Sequence, residues 1–309
     1  MTTAVLEHDI DEGKSSKSPE IVPAVSIIVP AYNEEGAIAE TVASLTKSLA
    51  GSSYEIIVVN DGSRDGTQQV LESLQQKYDR LRVVTHPRNR GYGAALKTGM
   101  RQAASDLIAI TDADGTYPNE RLPELVGRCA DFDMVVGART AKDVTYSKLR
   151  AFPKYFLRRW VSWLAGRPVP DINSGMRVFR KDVAREFIGI LPDGFSFTIT
   201  ITLSMMTTYR RVEYVPISYY ARVGKSKIRP IHDTLRFMQI ILRTGTYFAP
   251  LRAFMPMFMF LFLSATGSLF YDVFWLHDLT EATLLLFLFS MNIGMFMLLA
   301  DMIDKRGVR

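Results

Sequence analysis

One cysteine and four histidines are all that this 309-residue chain offers in thiol and imidazole chemistry. Cys129 by itself excludes an internal disulfide and suits a reducing compartment, or chemistry that needs no thiol. His8, His86, His232 and His277 stand at no helical spacing from one another, which argues against a zinc site of histidine and cysteine. No apolar stretch follows the start, so a cleavable signal peptide is not expected. No internal repeat recurs at a fixed period. With 48% hydrophobic and 22% charged residues, the chain is neither disordered nor a disulfide scaffold. Its net charge is only +5, but the charge is unevenly placed: Arg139 to Arg243 holds 20 Lys and Arg against 7 Asp and Glu, a net +13. Such a stretch calls for an anionic partner or a membrane surface. It lacks interleaved aromatic platforms and a reading helix, so nucleic acid is set aside.

The chain divides by pattern. Residues 1–23 carry charged and small polar residues and two prolines with no apolar period, and read as a mobile tail. Residues 24–230 alternate short apolar runs (Val25–Val29, Glu55–Asn60, Leu81–Thr85, Leu107–Thr111, Met134–Ala138) with amphipathic stretches at Glu35–Leu49, Gly66–Tyr78 and Ala94–Ala104. That alternation predicts an α/β fold, a mostly parallel sheet with helices on both faces. Residues 231–250 follow as interfacial helix: within Ile231–Tyr247, the residues Ile231, Leu235, Met238, Ile241 and Leu242 are expected to share one apolar face. In residues 251–309, two runs of 19 residues without formal charge, Ala253–Tyr271 and Ala282–Ala300, would each span roughly 28 Å, close to a bilayer's hydrocarbon thickness. The loop Asp272–Glu281 has no Lys or Arg, whereas Arg252, Lys305, Arg306 and Arg309 flank the pair. A two-helix transmembrane hairpin with both termini cytoplasmic is the expectation. Self-association through it is allowed but not required.

Chemistry gathers where apolar runs end, since ligands of an open parallel sheet bind beyond its carboxyl edge. Val29-Pro30-Ala31-Tyr32-Asn33-Glu34 closes the first run. Pro30 is expected to stop the strand, Asn33 to cap the next helix, and Tyr32 to offer a ring to a base. After the second run, Asn60-Asp61-Gly62-Ser63 places Asp61 to accept from a base N–H or a ribose hydroxyl, while Asp65 or Ser63 caps the following helix. Asp112-Ala113-Asp114 follows the fourth run. Two carboxylates at i and i+2 can converge on one Mg²⁺ or Mn²⁺ that also holds a diphosphate. Arg90-Gly91-Tyr92-Gly93 opens a helix whose amides can meet phosphate or ribose. It lacks the third glycine of a dinucleotide fingerprint, and Gly224-Lys225-Ser226 lacks the first glycine of a phosphate loop, so both of those readings fail.

Taken in order, these motifs resemble the family 2 glycosyltransferases of GT-A fold, in particular the polyprenyl-phosphate (dolichol-phosphate-mannose-synthase-like) branch. They continue with Asn-Arg-Gly-Tyr-Gly-Ala-Ala at 89–95, Gly-Ala-Arg at 137–139, Asn-Ser-Gly-Met-Arg-Val-Phe-Arg at 173–180 and Arg-Val-Gly-Lys-Ser-Lys at 222–227. The C-terminal hairpin is similar to that of bacterial members. The resemblance implies that Pro30, Ala31, Tyr32, Glu34, Asp61 and Asp112 hold the nucleotide, and that Asp112 and Asp114 bind the metal. It also implies that Arg139, Ser174, Arg222 and Lys227 hold the acceptor phosphate, with Asp114, Arg222 and Arg139 as the catalytic set. Two departures stand out. Thr116 occupies the place of a Gln that completes the metal shell in many relatives, and Pro170 that of a basic residue before Asp171, for which Arg167 or Arg177 could substitute.

The implied reaction is inverting, metal-dependent transfer of a hexose from a nucleotide-sugar to polyprenyl phosphate at the cytoplasmic membrane face. UDP-glucose and GDP-mannose are the leading donors. A phosphate nucleophile is already ionised near neutrality and needs positioning rather than a base. A hydroxyl acceptor such as a diacylglycerol lipid is the alternative, and a non-catalytic membrane scaffold a third reading. Leu157-Arg158-Arg159-Trp160 lacks the Gln of the processive-synthase segment and is taken as basic surface.

Overall fold

The computed structural model describes residues 24–140, 151–220 and 230–307. The first half alternates without exception: β1 (Val25–Ala31), α1 (Ile38–Ser48), β2 (Tyr54–Asn60), α2 (Thr67–Lys77), β3 (Leu81–Thr85), α3 (Tyr92–Gln102) and β4 (Leu107–Ile110). These strands are parallel, in the spatial order β3-β2-β1-β4. β2 is buried at every residue and β1 at all but Pro30, as a strand covered by helices on both faces requires. On one face Ile27, Val29, Ile56 and Val58 pack against Ile38, Val42 and Leu45 of α1 and Leu71 of α2. On the other, Ile28, Ile57 and Val59 pack with Ala95, Leu96 and Met100 of α3.

The second half adds α4 (Leu122–Arg128), β5 (Met134–Ala138), α5 (Ala151–Ala165), β6 (Arg177–Arg180), α6 (Lys181–Glu186), α7 (Phe197–Thr207) and β7 (Val212–Pro216). β6 inserts antiparallel between β4 and β5, and β7 lies parallel to β5, giving the order β3-β2-β1-β4-β6-β5-β7. The apolar-run reading misses β6 because it begins and ends on arginine. Arg177 is nonetheless fully buried. α7 is buried on every side from Phe197 to Met206 and therefore has no amphipathic period. Its hydroxyls are satisfied inside the helix, as when Thr202 donates to the Thr198 carbonyl at 2.7 Å and Ser204 to that of Thr200 at 2.8 Å.

Three local expectations are corrected. β1 runs on through Pro30 to Ala31 beside β2, because its pairing with β4 ends at Ile28 and Pro30 sits on what is locally an edge. Asn33 does not cap α1, which begins at Ile38. With φ at +53°, Asn33 instead accepts the Arg64 N–H at 2.8 Å and donates its own N–H to Ser63 Oγ at 3.0 Å, so Ser63 is not a cap either. Those bonds, with the Gly66 N–H on Glu35 Oε2 at 2.6 Å, stitch the loop after β1 to the loop after β2. The third concerns α8 (Pro230–Phe248). Ile241 is fully buried against Val161, Leu164, Ile199 and Leu203, while Met238 and Leu242 are exposed, so the three do not share a face.

α9 (Pro250–Tyr271) continues through a π-turn at Asp272–Leu276, and α10 (Glu281–Gly307) returns alongside it. Pro250–Leu276 and Glu281–Ile303 are each long and apolar enough to cross a membrane, and their most apolar windows are only 6% and 17% buried. Neither helix is packed inside the described chain as a core helix would be. At the turn, the buried Asp272 accepts from the Thr280 N–H at 2.9 Å and its hydroxyl at 2.8 Å. At the other end the hairpin is tied to α5: Trp163 Nε1 donates to the Arg252 carbonyl at 3.1 Å, and Arg252 Nη1 to the Leu164 carbonyl at 3.0 Å.

Candidate active site

The carboxyl ends of β1, β2 and β4 lie side by side, and the motif residues follow them directly. Asp112 and Asp114 leave β4 two residues apart, with Ala113 turned into the core between them. Asp112 Oδ1 accepts the Tyr92 hydroxyl at 3.0 Å. Asp114 Oδ1 accepts the Thr116 hydroxyl at 2.7 Å and the Thr116 N–H at 3.2 Å. Thr116, fully buried, thus orients the second carboxylate. Burial and the neighbouring Asp112 charge raise the Tyr92 phenol well above its ordinary pKa, which keeps it a donor.

Gly175 packs directly against Asp112. A β-carbon there would lie 2.8 Å from both Asp112 oxygens, so only glycine lets the segment approach the carboxylate this closely. The Gly175 N–H is anchored on the Tyr117 hydroxyl at 2.6 Å. Burial lifts that phenol, with Asp112 adding to the effect. Arg177, 0% exposed, holds the same segment from below by donating through Nε (3.2 Å) and Nη2 to the Ser174 carbonyl, and through Nη1 to Thr202 Oγ1 at 3.0 Å. Burial pushes its pKa down.

The residues expected to hold a nucleotide occupy the neighbouring loops. Tyr32 and Glu34 are half-buried after β1, and the Glu34 N–H donates to Thr67 Oγ1 at 2.9 Å. Asp61 is 3% exposed, and its carboxylate already accepts the N–H groups of Arg90 (2.9 Å) and Gly91 (2.8 Å) and meets His86 Nδ1 at 2.6 Å. The amides expected to greet phosphate at the start of α3 are therefore partly committed inside the chain, with that of Ala94 on the Asp193 carbonyl at 3.0 Å. Asp65 has the structural role assigned to it, accepting the Thr67 N–H at 3.1 Å.

The residues expected on the acceptor side are partnered within the chain where the structure describes them. Arg139 forms a two-pronged pair with Asp171, Nε to Oδ2 at 2.7 Å and Nη2 to Oδ1 at 2.9 Å, and lies 5.1 Å from the centre of the Tyr219 ring. Burial opposes both charges, yet their mutual hydrogen bonds prevail: the Asp171 carboxyl is held below its usual range and the Arg139 guanidinium above its own. Ser174 is fully buried and donates its hydroxyl proton to the Gly137 carbonyl at 2.5 Å. Arg222 and Lys227 lie outside the described residues. Neither substitute for the basic residue before Asp171 reaches the site, since Arg167 Nη2 donates to the Met206 (3.2 Å) and Arg210 (2.7 Å) carbonyls and Arg177 is sealed in the core. Arg158 and Arg159 are exposed, as basic surface should be. Sequence reasoning passed over Tyr92, Tyr117, Asp171 and Gly175 as individual contributors. The glycine–tyrosine start of α3 and the Ser-Gly pair were the available signals.

Comparison with known proteins agrees with this geometry. The profile described as Glycosyl transferase family 2 matches residues 26–188, and that described as GtrB C-terminal hairpin matches residues 249–305. The chain is 30% identical over 233 residues to a dolichol-phosphate mannosyltransferase of Pyrococcus furiosus, covering 71% of this chain and 64% of that protein. It is 28% identical over 244 residues to a low-salt glycan biosynthesis hexosyltransferase of Haloferax volcanii, covering 77% and 57%. An undecaprenyl-phosphate 4-deoxy-4-formamido-L-arabinose transferase of Pseudomonas aeruginosa is 32% identical over 191 residues, covering 58% and 56%. The chain therefore spans less than two thirds of the length of each of these relatives. Among solved structures, glucosyl-3-phosphoglycerate synthase from Mycobacterium tuberculosis, in complex with Mn²⁺, uridine diphosphate and glucosyl-3-phosphoglycerate, shares the fold at a TM-score of 0.54 and 20% identity over 72% of this chain and 80% of that one. With the family profile covering more than half of its length and the GT-A sheet beneath it, the chain belongs to glycosyl transferase family 2.

Proposed function

We propose that this chain transfers a hexose from a nucleoside diphosphate sugar to the phosphate of a polyprenyl phosphate at the cytoplasmic face of a membrane, with inversion at the anomeric carbon and with Mg²⁺ or Mn²⁺. The observation that carries the reading is the Asp112–Asp114 pair, held open at the carboxyl end of β4 by Tyr92, Thr116 and Gly175 in a chain that also carries an apolar helical hairpin. The pair suits a hard divalent cation. Its donors are oxygens, and since no cluster of three or more His, Cys, Asp or Glu exists among the described residues, substrate phosphates and water would have to complete the shell. Two carboxylates with substrate phosphates and water form a common Mg²⁺ shell. When bound there, the cation would offset charge growing on the departing diphosphate.

The residues divide the remaining work. Pro30, Ala31, Tyr32, Glu34 and Asp61 line the nucleoside side. Arg139, fixed by Asp171, would offer the acceptor phosphate a rigid cation. Arg222 and Lys227 are proposed for the acceptor phosphate from their sequence motif. A phosphate monoester needs no general base, only alignment with the anomeric carbon. A polyprenyl tail resists leaving the bilayer, at about 0.8 kcal/mol per exposed CH₂. The hairpin and the exposed Met238, Leu242 and Trp163 hold the domain where such a lipid lies.

The test is transfer itself. Membranes containing the chain are incubated with radiolabelled UDP-glucose or GDP-mannose and with undecaprenyl or dolichyl phosphate. Labelled polyprenyl-phosphate sugar is expected, with loss on Asp114→Ala in a protein that still folds. No labelled lipid from any common donor, label in a diacylglycerol lipid, or full turnover by Asp114→Ala with Mn²⁺ would overturn the assignment.

A further inference from the structure

Behind the nucleoside side lies a polar chain that the assignments above leave unused. His86 follows β3 and is 5% exposed. Its Nδ1 lies 2.6 Å from Asp61 Oδ1 and its Nε2 3.0 Å from Thr98 Oγ1. Backbone N–H groups of Arg90 and Gly91 already point at the Asp61 carboxylate, which marks it as an acceptor, so His86 Nδ1 carries the hydrogen. Thr98 Oγ1 also accepts from Arg101 Nη2 at 3.0 Å, so both ring nitrogens of His86 have a partner that is itself held. Packing holds the chain in place: Gly62, at φ +68°, lets the loop after β2 approach Arg88 so closely that a β-carbon would lie 2.5 Å from the Arg88 carbonyl carbon.

Counting acceptors makes the consequence concrete. A carboxylate offers about two hydrogen-bonding positions on each oxygen. On Oδ1 both are taken, by His86 and Arg90; on Oδ2 one is taken, by Gly91. One position on Oδ2 remains. Without His86 the carboxylate loses its shortest contact, and a terminal torsion of this kind has a broad, two-fold profile with little stiffness of its own.

We propose that His86 is a positioning residue for the donor: through Asp61 it presents a single acceptor to one N–H or O–H of the nucleoside. This rests on the assignment of Asp61 to the nucleoside side. A histidine that served only as structural filler would change stability without changing which step suffers on its removal. His86→Asn keeps an amide N–H at the place of Nδ1, whereas His86→Gln carries its amide toward Thr98 and His86→Leu has neither.

The experiment is calorimetric titration of the full chain in nanodiscs with UDP and with GDP in the presence of Mg²⁺, alongside donor kinetics. Wild type is expected to bind one of the two nucleotides. His86→Leu should weaken that binding about tenfold or more, the value of a hydrogen bond to a charged group, and raise the donor KM with kcat preserved. His86→Asn should stay close to wild type and His86→Gln should follow His86→Leu, a comparison that still decides if His86→Leu does not fold. Nucleotide binding unchanged in His86→Leu, equal losses in Asn and Gln variants, or a fall in kcat alone would overturn the role of His86 while leaving the donor site standing. Wild type binding neither nucleotide would overturn the donor site, and this inference with it.

Discussion

Gly175→Ala isolates the metal-binding geometry from the stability of the fold. The added β-carbon would lie 2.8 Å from both Asp112 oxygens, whereas unstrained heavy-atom contacts sit near 3.5 Å, so one partner must retreat by roughly 0.7 Å. The retreating group is Asp112, because Gly175 is anchored by its N–H on Tyr117 and its neighbour Ser174 by Arg177. Only the end of one side chain moves, so the cost in stability should be about 1 kcal/mol, at the low end for an overpacked site. The cost to chemistry should be larger, since misplacing a catalytic group by about 1 Å can remove about two orders of magnitude. Initial rates over a Mn²⁺ series, Mn²⁺ binding by electron paramagnetic resonance and thermal unfolding would be measured on the same preparation. The expected result is a fall in turnover of roughly 10- to 100-fold, with weakened Mn²⁺ binding and a nearly unchanged melting temperature. Wild-type turnover with wild-type Mn²⁺ affinity would refute the reasoning.

Other perturbations probe the remaining contacts. Tyr92→Phe removes one hydrogen bond to Asp112 and should weaken Mn²⁺ binding about fivefold, the value of roughly 1 kcal/mol, with the fold intact; unchanged binding would count against Tyr92 as an orienting group. Asp171→Ala strands Arg139 at a site where the pair is only 15% and 10% exposed, and should cost roughly 2–4 kcal/mol in urea unfolding, somewhat less than for a fully buried pair. Because the Asp171 carboxyl is held below its ordinary value of 3.8, the stability it contributes is whole above about pH 4 and lost as pH falls through the depressed value. Asp171→Asn should flatten that acid limb of the stability curve, and an unchanged slope would show that other carboxylates govern it. The proposed orientation can be read by labelling, since Cys129 is buried and is the chain's only thiol. In intact cells an impermeant maleimide should label His277→Cys but not Arg64→Cys, and the reverse pattern would invert the topology.

The sequence by itself determined what depends on local order. β-branched runs covered on both faces, strand-end Asp, Asn and Gly residues, and two long uncharged stretches are each written within some 20 neighbouring residues, and the α/β alternation and the hairpin follow from them. Tertiary structure decided everything that depends on partners remote in the chain. Arg139 and Ser174 have no partner legible in the sequence, and folding gives them Asp171 and the Gly137 carbonyl; Arg177 reads as a substitute for the basic residue before Asp171 until β6 carries it into the core. Tyr92 reaches Asp112 from the start of α3, 20 residues away, and Gly175 across 63 residues of chain, brought there by an antiparallel strand that no apolar pattern announces. A polar side chain's chemistry is set by what already occupies its hydrogen-bonding positions, and those occupants are chosen by the packing of the whole sheet.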